Sequence, residues 1–549
     1  MRRSVRRPLC ILSLLLLLAA TAWAEAPPLI WQALTGEPDA LGDEPLLTAV
    51  APDGAVYAAG TTYQGGVGGW RENIILIRYE ADGARAWIRS LATPGRDLPG
   101  ALALDSAGNV ILACVTAGDT ARVEVVKHDA DGGVIWHAKH DIVSTSNQGP
   151  AMAQGADGSL TLAFQDDDLL HVLRLDASGT LLWSTPVTSP DANLPLSVAV
   201  AVDAFGATYA AGVYDSTTVF FQVVHTFKLD AAGAVQWSHA EDGNFNSFFE
   251  FIGVAVGPDG HPVVAANPES DCGLFEMRIW KLNAASGTPL WWNRLLDGNH
   301  CHVYKPVDLL LDAQGNAVVA SYGRQGGSYE HIQVSRWSPT GDLLWFREFD
   351  GPGSSSDLAA DLALDAAGAA YVCGLTTNPP QDRDFAMVKY DPDGTQAWTL
   401  GWASPFGGND WANAIAVGPA GQVAVVGTAY MGPTEGQQWV TLLFQEDVTS
   451  AAPPADPVAA LMLRALGNPI DGPTDIRFAL PQAGSYTLSV LDLRGREVRR
   501  IRQGSADAGE HLAVWNGRDD AGRPLPSGSY LLRLRTPRGE AVRSVAVVR

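Results

Sequence analysis

Residues 389–398 read KYDPDGTQAW: a turn with glycine at its end, and a tryptophan four residues further on. The same spacing recurs as Gly83/Trp87, Gly132/Trp136, Gly179/Trp183, Gly233/Trp237, Gly287/Trp291, Gly341/Trp345 and Gly394/Trp398. A second series precedes it. An Asp-x-x-Gly or Pro-x-Gly turn leads into a β-rich run, as in LDAAGAAYVCG (364–374). Its glycines are Gly54, Gly108, Gly158, Gly206, Gly260, Gly315, Gly368 and Gly421, spaced 48 to 55 residues apart. Self-similarity at a period near 50 marks a repeat architecture.

Eight first halves are matched by seven second halves. The last unit, GQVAVVGTAY (421–430) followed by WVTLLFQED (439–447), ends without its tryptophan strand. PLIWQALTG (28–36), carrying Trp31, stands ahead of the first turn with no half of its own. The N-terminal strand is therefore expected to complete the last unit and close a ring, which removes the sheet edges an open array would expose. Within a unit the reading gives four short strands, as in DLALD, AAYVCG, FAMVKYD and AWTLGW between 361 and 402, bounded by Asp/Gly turn chemistry. The fold expected is all-β: an eight-bladed β-propeller over 25–447, closed by an N-terminal strand, with its tryptophans between neighbouring blades.

DFAMVKYDPDGTQAW (384–398) and GGNDWANAIAVGPAGQVAVVGTA (407–429) resemble the SBBP-type β-propeller repeats of bacterial secreted and cell-surface proteins. The resemblance covers roughly residues 29–447 and implies a fold and a location more than an activity. LNAASGTPLW (282–291) resembles the tryptophan-docking motif of quinoprotein dehydrogenases, which are also eight-bladed. A periplasmic oxidoreductase is therefore carried as an alternative, although the adjacent-cysteine pair of some such enzymes is missing.

The chain ends differ from its middle. Arg2, Arg3, Arg6 and Arg7, then ILSLLLLLAATAWA (11–24), form a basic segment, an apolar segment and an A-x-A site, so residues 1–24 read as a signal peptide. No later stretch is long and apolar enough for a membrane-spanning helix. The chain has 37 Lys+Arg against 60 Asp+Glu, a formal net charge of −23. The leader brings four Arg and no acid, and residues 456–549 bring 14 Arg against 10 acids, so the excess negative charge lies on the repeat region. Such a surface repels nucleic acid and anionic lipid.

EDVTSAAPPADP (446–457) reads as a linker, bounded here as 448–460, and residues 461–549 as about six strands of a small β-sandwich. Asn468-Pro469, LDLRGREVR (491–499), Trp515-Asn516-Gly517-Arg518-Asp519 and SGSYLLRL (527–534) resemble the FlgD Ig-like fold. The same family includes C-terminal sorting domains of the type IX secretion pathway. The resemblance implies passage over the outer membrane or surface attachment; a retained structural module is the alternative.

Short, uniform turns occupy one face of the expected ring. The other carries variable loops such as TTYQGGVGGWRE (61–72), EDGNFNSFFEF (241–251) and LDGNHCHVYK (296–305), where function tends to sit. Eleven residues before the turn glycine stand Asp43, Asp97, Asp357 and Asp410, from units one, two, seven and eight. The other units have Asn147, Pro195, Phe249 and Tyr304. With Phe245, Phe248 and Phe251 nearby, the pattern suits a cleft for a cation, or for a sugar stacking on aromatics and bonding to carboxylates. The competing reading makes each Asp a backbone bracket. The DxDG turns at Asp129–Gly132 and Asp391–Gly394 lack the later glutamate of a calcium loop and read as hairpins, so no cofactor or metal is expected, with calcium left open. Asp166-Asp167-Asp168 reads as a solvated loop tip, and His300/His302 lack a third ligand. Cys272 and Cys301 are placed to form a disulfide, while Cys114 and Cys373 read as buried thiols. No nucleophile elbow, phosphate loop or H-E-x-x-H helix is present. The function expected is that of an exported, monomeric, non-catalytic protein at the cell surface or outside it. It would bind a polysaccharide, peptide or surface protein and meet the secretion machinery through its tail. A structural adhesion or surface-layer role is the further alternative.

Overall fold

A computed structural model describes residues 26–35, 40–66, 69–118, 120–143, 148–167, 169–188, 192–216, 222–242, 252–267, 277–295, 303–324, 329–351, 355–378, 382–432, 436–446, 462–465, 474–480, 483–491, 496–506, 509–536 and 539–547. The chain divides into two compact units, Met1–Asp447 and Val448–Arg549. The leader, the linker, Phe245, Phe248, Phe249, Phe251, Cys272, Cys301 and the His300/His302 pair lie outside the described residues. Among those described there is no α-helix, and no helix long and apolar enough to cross a membrane.

In the larger unit the described residues form eight four-stranded antiparallel sheets. Sheets one to seven are each built from consecutive strands, over 40–91, 98–141, 151–187, 192–242, 252–294, 303–349 and 358–402. The eighth differs. Trp411–Val417, Gln422–Tyr430 and Gln437–Gln445 supply three strands and Leu29–Thr35 the fourth, with Trp31 opposite Leu443 and Thr35 opposite Trp439. The turn chemistry read from the sequence is visible in sheet seven. The Asp365 carboxylate accepts the N–H groups of Ala367 and Ala369, both at 2.9 Å, while Gly368 N–H donates to the Asp365 carbonyl at 3.0 Å. A side chain mimicking a backbone turn is why Asp leads this motif.

Cores form between neighbouring sheets. Tyr57, Leu76, Val110 and Leu112 join sheets one and two, and Tyr371, Met387, Val425 and Leu442 join seven to eight. Val56, Ile75 and Ile77 of sheet one also pack with Ala424, Val426 and Trp439 of sheet eight.

The tryptophans lock these interfaces. Trp31, Trp87, Trp136, Trp183, Trp237, Trp291 and Trp345 each donate the indole N–H to a carbonyl in the final turn of the next sheet, at 2.8 to 3.2 Å. Each ring lies against the glycine of that turn. Trp31 belongs to sheet eight, and its partner is Ala81 in sheet one. Sheet eight has no such turn of its own, so Trp398 of sheet seven donates instead to the Glu446 carboxylate at 2.6 Å. Glu446 also accepts from Lys389 at 2.8 Å and Tyr371 at 2.8 Å.

Among its described residues the smaller unit forms seven strands where about six were expected. A three-stranded sheet (Met462–Ala465, Thr474–Leu480, Gly509–Trp515) and a four-stranded sheet (Glu497–Ala506, Gly484–Leu491, Gly528–Thr536, Gly539–Val547) share one core. Phe478 and Trp515 from the first sheet meet Leu488, Leu532 and Leu534 from the second.

Candidate functional site

The four aspartates singled out by their spacing are all buried, Asp43 at 3% exposure and Asp97, Asp357 and Asp410 at 0%. Three stand where the chain crosses from one sheet to the next, just before the first strand. Each donates its own N–H back to the preceding sheet's third-strand region: Asp97 to Glu72 O, Asp357 to Glu330 O and Asp410 to Arg383 O, at 2.6 to 2.9 Å. The carboxylates reach the other way. Asp97 accepts from Thr93 N–H at 2.7 Å, the Thr93 hydroxyl at 2.6 Å and Ala117 N–H at 3.2 Å. Asp410 accepts from Ser404 N–H at 2.6 Å and Tyr430 N–H at 2.7 Å. Both brackets therefore join the crossover to the residue 20 positions on, at the end of the second strand. Burial pushes these carboxyl groups above the usual range, against the lowering effect of the N–H donors.

Asp357 departs from this pattern. Its Oδ2 accepts from Gly351 N–H at 2.7 Å, but its Oδ1 is buried with no hydrogen-bond partner. The Thr376 hydroxyl and Thr377 amide stand close enough to temper a pKa that burial raises, yet neither reaches hydrogen-bond geometry with Oδ1. Gly351 and Thr376 line a cavity of about 430 Å³ between sheets six and seven, with Phe349, Asp350, Asn378, Asp384 and Trp402. This is the face of the variable loops. Trp402 packs on Phe385 with ring centroids 5.0 Å apart, and Asp384, its carboxyl raised by burial, accepts from the Asn378 amide. An aromatic wall, two carboxylates and an amide are groups that hold a hydroxyl-rich or peptide ligand.

Of the other residues expected at a site, Tyr304 is buried and meets Phe346 edge-on at 6.3 Å; Asp43 faces Thr62 within sheet one. Asp43, Asp97, Asp410 and Tyr304 do not line the cavity. Asp166 is corrected from a solvated tip to a buried acceptor of Val143 N–H at 2.6 Å, because its carboxylate reaches the crossover that leads into its own sheet. Cys114 and Cys373 are buried free thiols, raised by burial. The DxDG turn at Asp129 is a hairpin, with Gly133 N–H donating to its carboxylate at 2.7 Å.

Sequence reading missed Asp308 and Asp361. Each follows an irregularity in the first strand of its sheet, where other units have Leu47, Ala101 and Ala414. Burial raises both carboxyl groups, and the charge of Asp308 raises Asp361 further. The signal was present: two acids seven residues before the turn glycine, at a place otherwise apolar or Gly.

Residues 468–540 match the family model of the FlgD Ig-like domain. No curated protein matches the sequence. Among solved structures, the quinohemoprotein alcohol dehydrogenase of Comamonas testosteroni is similar at 11% identity over 76% of each chain, with a TM-score of 0.41. A protein of unknown function from Dyadobacter fermentans is similar at 10% identity over 76% of this chain and 99% of that one, TM-score 0.39. A protein of unknown function from Bacteroides caccae is similar at 12% identity over 53% and 93%, TM-score 0.31.

Proposed function

We propose that residues 26–446 form a closed eight-bladed β-propeller that acts outside the cytoplasm as a binding protein, and that the FlgD Ig-like unit serves its sorting or attachment. Closure is supported by the hydrogen bond from Trp31 to Ala81, by Asn413 donating to Pro45 O at 2.8 Å, and by the core shared between sheets one and eight. The binding role rests on one observation above all: the turn face spends its tryptophans on the fold, while the opposite face carries a largely apolar cavity walled by Phe349, Leu400 and Trp402, with Asp350, Asn378 and Asp384 as its polar groups. A rigid scaffold with a ligand cleft among its variable loops needs no catalytic group to be useful. The ligand class that suits the lining is a polysaccharide or an extended peptide. Export rests on the leader at 1–24.

Trp291, within the segment that resembles the quinoprotein docking motif, docks on Pro339 O as its counterparts do on their neighbours. The likeness thus describes a shared docking device and supplies no cofactor ligand. Two measurements test the proposal. Fractionation of the native host with intact-mass analysis should find a surface or medium form; a full-length periplasmic form would sink the sorting role. Glycan and peptide arrays probed with the purified chain should give a signal that Trp402→Ala abolishes, and a signal unchanged by that substitution would remove the cavity from the reading.

A further inference from the structure

Beside the cavity, three side chains from three segments converge. His331 opens the third strand of sheet six, Asp350 follows its fourth strand, and Asp357 precedes the first strand of sheet seven. His331 Nδ1 lies 3.5 Å from Asp350 Oδ1 and 3.7 Å from Asp357 Oδ2, and one ligand atom from each residue falls within 4.8 Å of the others. These separations are too long for hydrogen bonds, which run to about 3.2 Å. They suit a shared ion instead. Two ligand atoms each about 2.1 Å from a tetrahedral centre stand about 3.4 Å apart.

The surroundings also point to a ligand. His331 Nδ1 is buried with no hydrogen-bond partner. Asp357, fully buried, turns Oδ2 to His331 and Gly351 N–H and leaves its Oδ1 unpartnered, and Thr376, at 5% exposure, has an unpartnered Oγ1. A Cβ placed on Gly351 would lie 2.0 Å from Thr376 Oγ1 and 2.8 Å from Asp357 Oδ1, so these orphaned oxygens converge on the same backbone. Buried polar atoms without partners are rare in folded proteins and call for an explanation.

We propose that His331, Asp350 and Asp357 form a binding site for a divalent transition-metal ion of the zinc type. One imidazole nitrogen and two carboxylate oxygens are a borderline donor set, whereas calcium takes six to eight oxygens. Asp350, 66% exposed, forms the solvent side. Because Asp350 also lines the cavity, a fourth coordination position is available to water or to an oxygen of a ligand bound there. The inference rests on the binding reading of that cavity and adds an ion to it.

The test is titration of the purified full chain with zinc chloride by calorimetry, repeated with cobalt(II) to read the coordination spectrum. One tight equivalent is expected, weakened at least tenfold by His331→Ala and by Asp350→Asn, whose exposed carboxylate makes misfolding of that variant easy to avoid. Zinc should also raise the melting temperature of the wild type and not of either variant. No zinc binding, or equal binding by wild type and both variants, would overturn the site. Calcium binding in place of zinc would overturn the choice of ion. The array signal from the cavity is read without added metal, so loss of the metal site and loss of the binding reading are separable.

Discussion

Gly83 and Gly260 occupy equivalent-looking turns, and their alanine variants should behave differently. Gly83 has φ +86° and lies under Trp31; Gly260 has φ +76°, and a methyl group added there would meet nothing within 4 Å. Placing Ala in the left-handed region costs about 1–2 kcal/mol at either position. At Gly83 the new Cβ would also sit 2.7 Å from Trp31 Cγ, well inside the ~3.5–4.0 Å of normal carbon contact. Trp31 must then retreat, adding an overpacking cost of about 1–3 kcal/mol and weakening its 3.0 Å bond to Ala81 O. Gly83→Ala should therefore cost about 2–5 kcal/mol and Gly260→Ala about 1–2. The assay is guanidinium unfolding of the full chain by far-UV circular dichroism. In a Trp31→Ala background the Gly83→Ala cost should fall to the backbone part alone, a coupling of about 2 kcal/mol. Equal losses at the two glycines, or no coupling with Trp31, would refute the docking of sheet eight on sheet one.

Glu446→Ala removes the acceptor shared by Trp398, Lys389 and Tyr371 and leaves Lys389 largely buried, so a loss of about 2–4 kcal/mol is expected in the same assay; a loss below ~0.5 kcal/mol would remove its role at the seventh interface. Asp361 is raised by burial and by Asp308, so the folded state binds a proton that the unfolded state releases, and stability from this group falls as pH rises from about 4. Asp361→Asn keeps an acceptor for Ile415 N–H and should raise the melting temperature more at pH 8 than at pH 4; an equal shift at both would contradict the buried pair. Burial alone would raise Glu124, but His137, Thr116 and Lys139 outweigh it and hold it at about 2. Its contribution is present above about pH 4.5 and lost as pH falls through 2, so Glu124→Gln should cost about 2 kcal/mol at pH 7, discounted because Lys139 reaches solvent, and little at pH 2. Thermal melts across that range check it.

The repeat was legible because two local chemistries recur at fixed spacing: an Asp that builds a turn and a Trp that needs a glycine to lie against. The Asp365 turn obeys a rule of a few residues' reach. Trp345 docks across to Pro392 in the next sheet but was legible because a tryptophan recurs at the same distance after each turn of the second series, and the strand order of sheet eight followed from a deficit in counting them. The site was less legible because its groups are related across sheets. His331, Asp350 and Asp357 share no motif, and only the packing of sheet six against seven brings them together. Asp97 and Asp357 occupy the same repeat position, yet Asp97 is bracketed by Thr93 and Ala117 while Asp357 keeps an orphaned oxygen. The difference lies at the far end of the bracket: Ala117 and Tyr430 N–H reach Asp97 and Asp410, while no donor makes the matching bond to Asp357 Oδ1.

The two faces of the larger unit are under different constraints for one physical reason. On the turn face each sheet's tryptophan must meet a glycine held in the left-handed region by the next sheet, so composition and length are fixed by contact on both sides. Glu446 shows how strict this is: where the eighth turn is missing, a carboxylate takes over the carbonyl's place and recruits Lys389 and Tyr371 besides. On the opposite face the crossover needs only a single acceptor to bracket its ends, which Asp97 and Asp410 provide. The rest of each loop is free of that duty. Where the bracket is only half made, as at Asp357, Oδ1 stays unpaired while Oδ2 holds Gly351 and faces His331, so a binding site there would not weaken the docking that holds the sheets together.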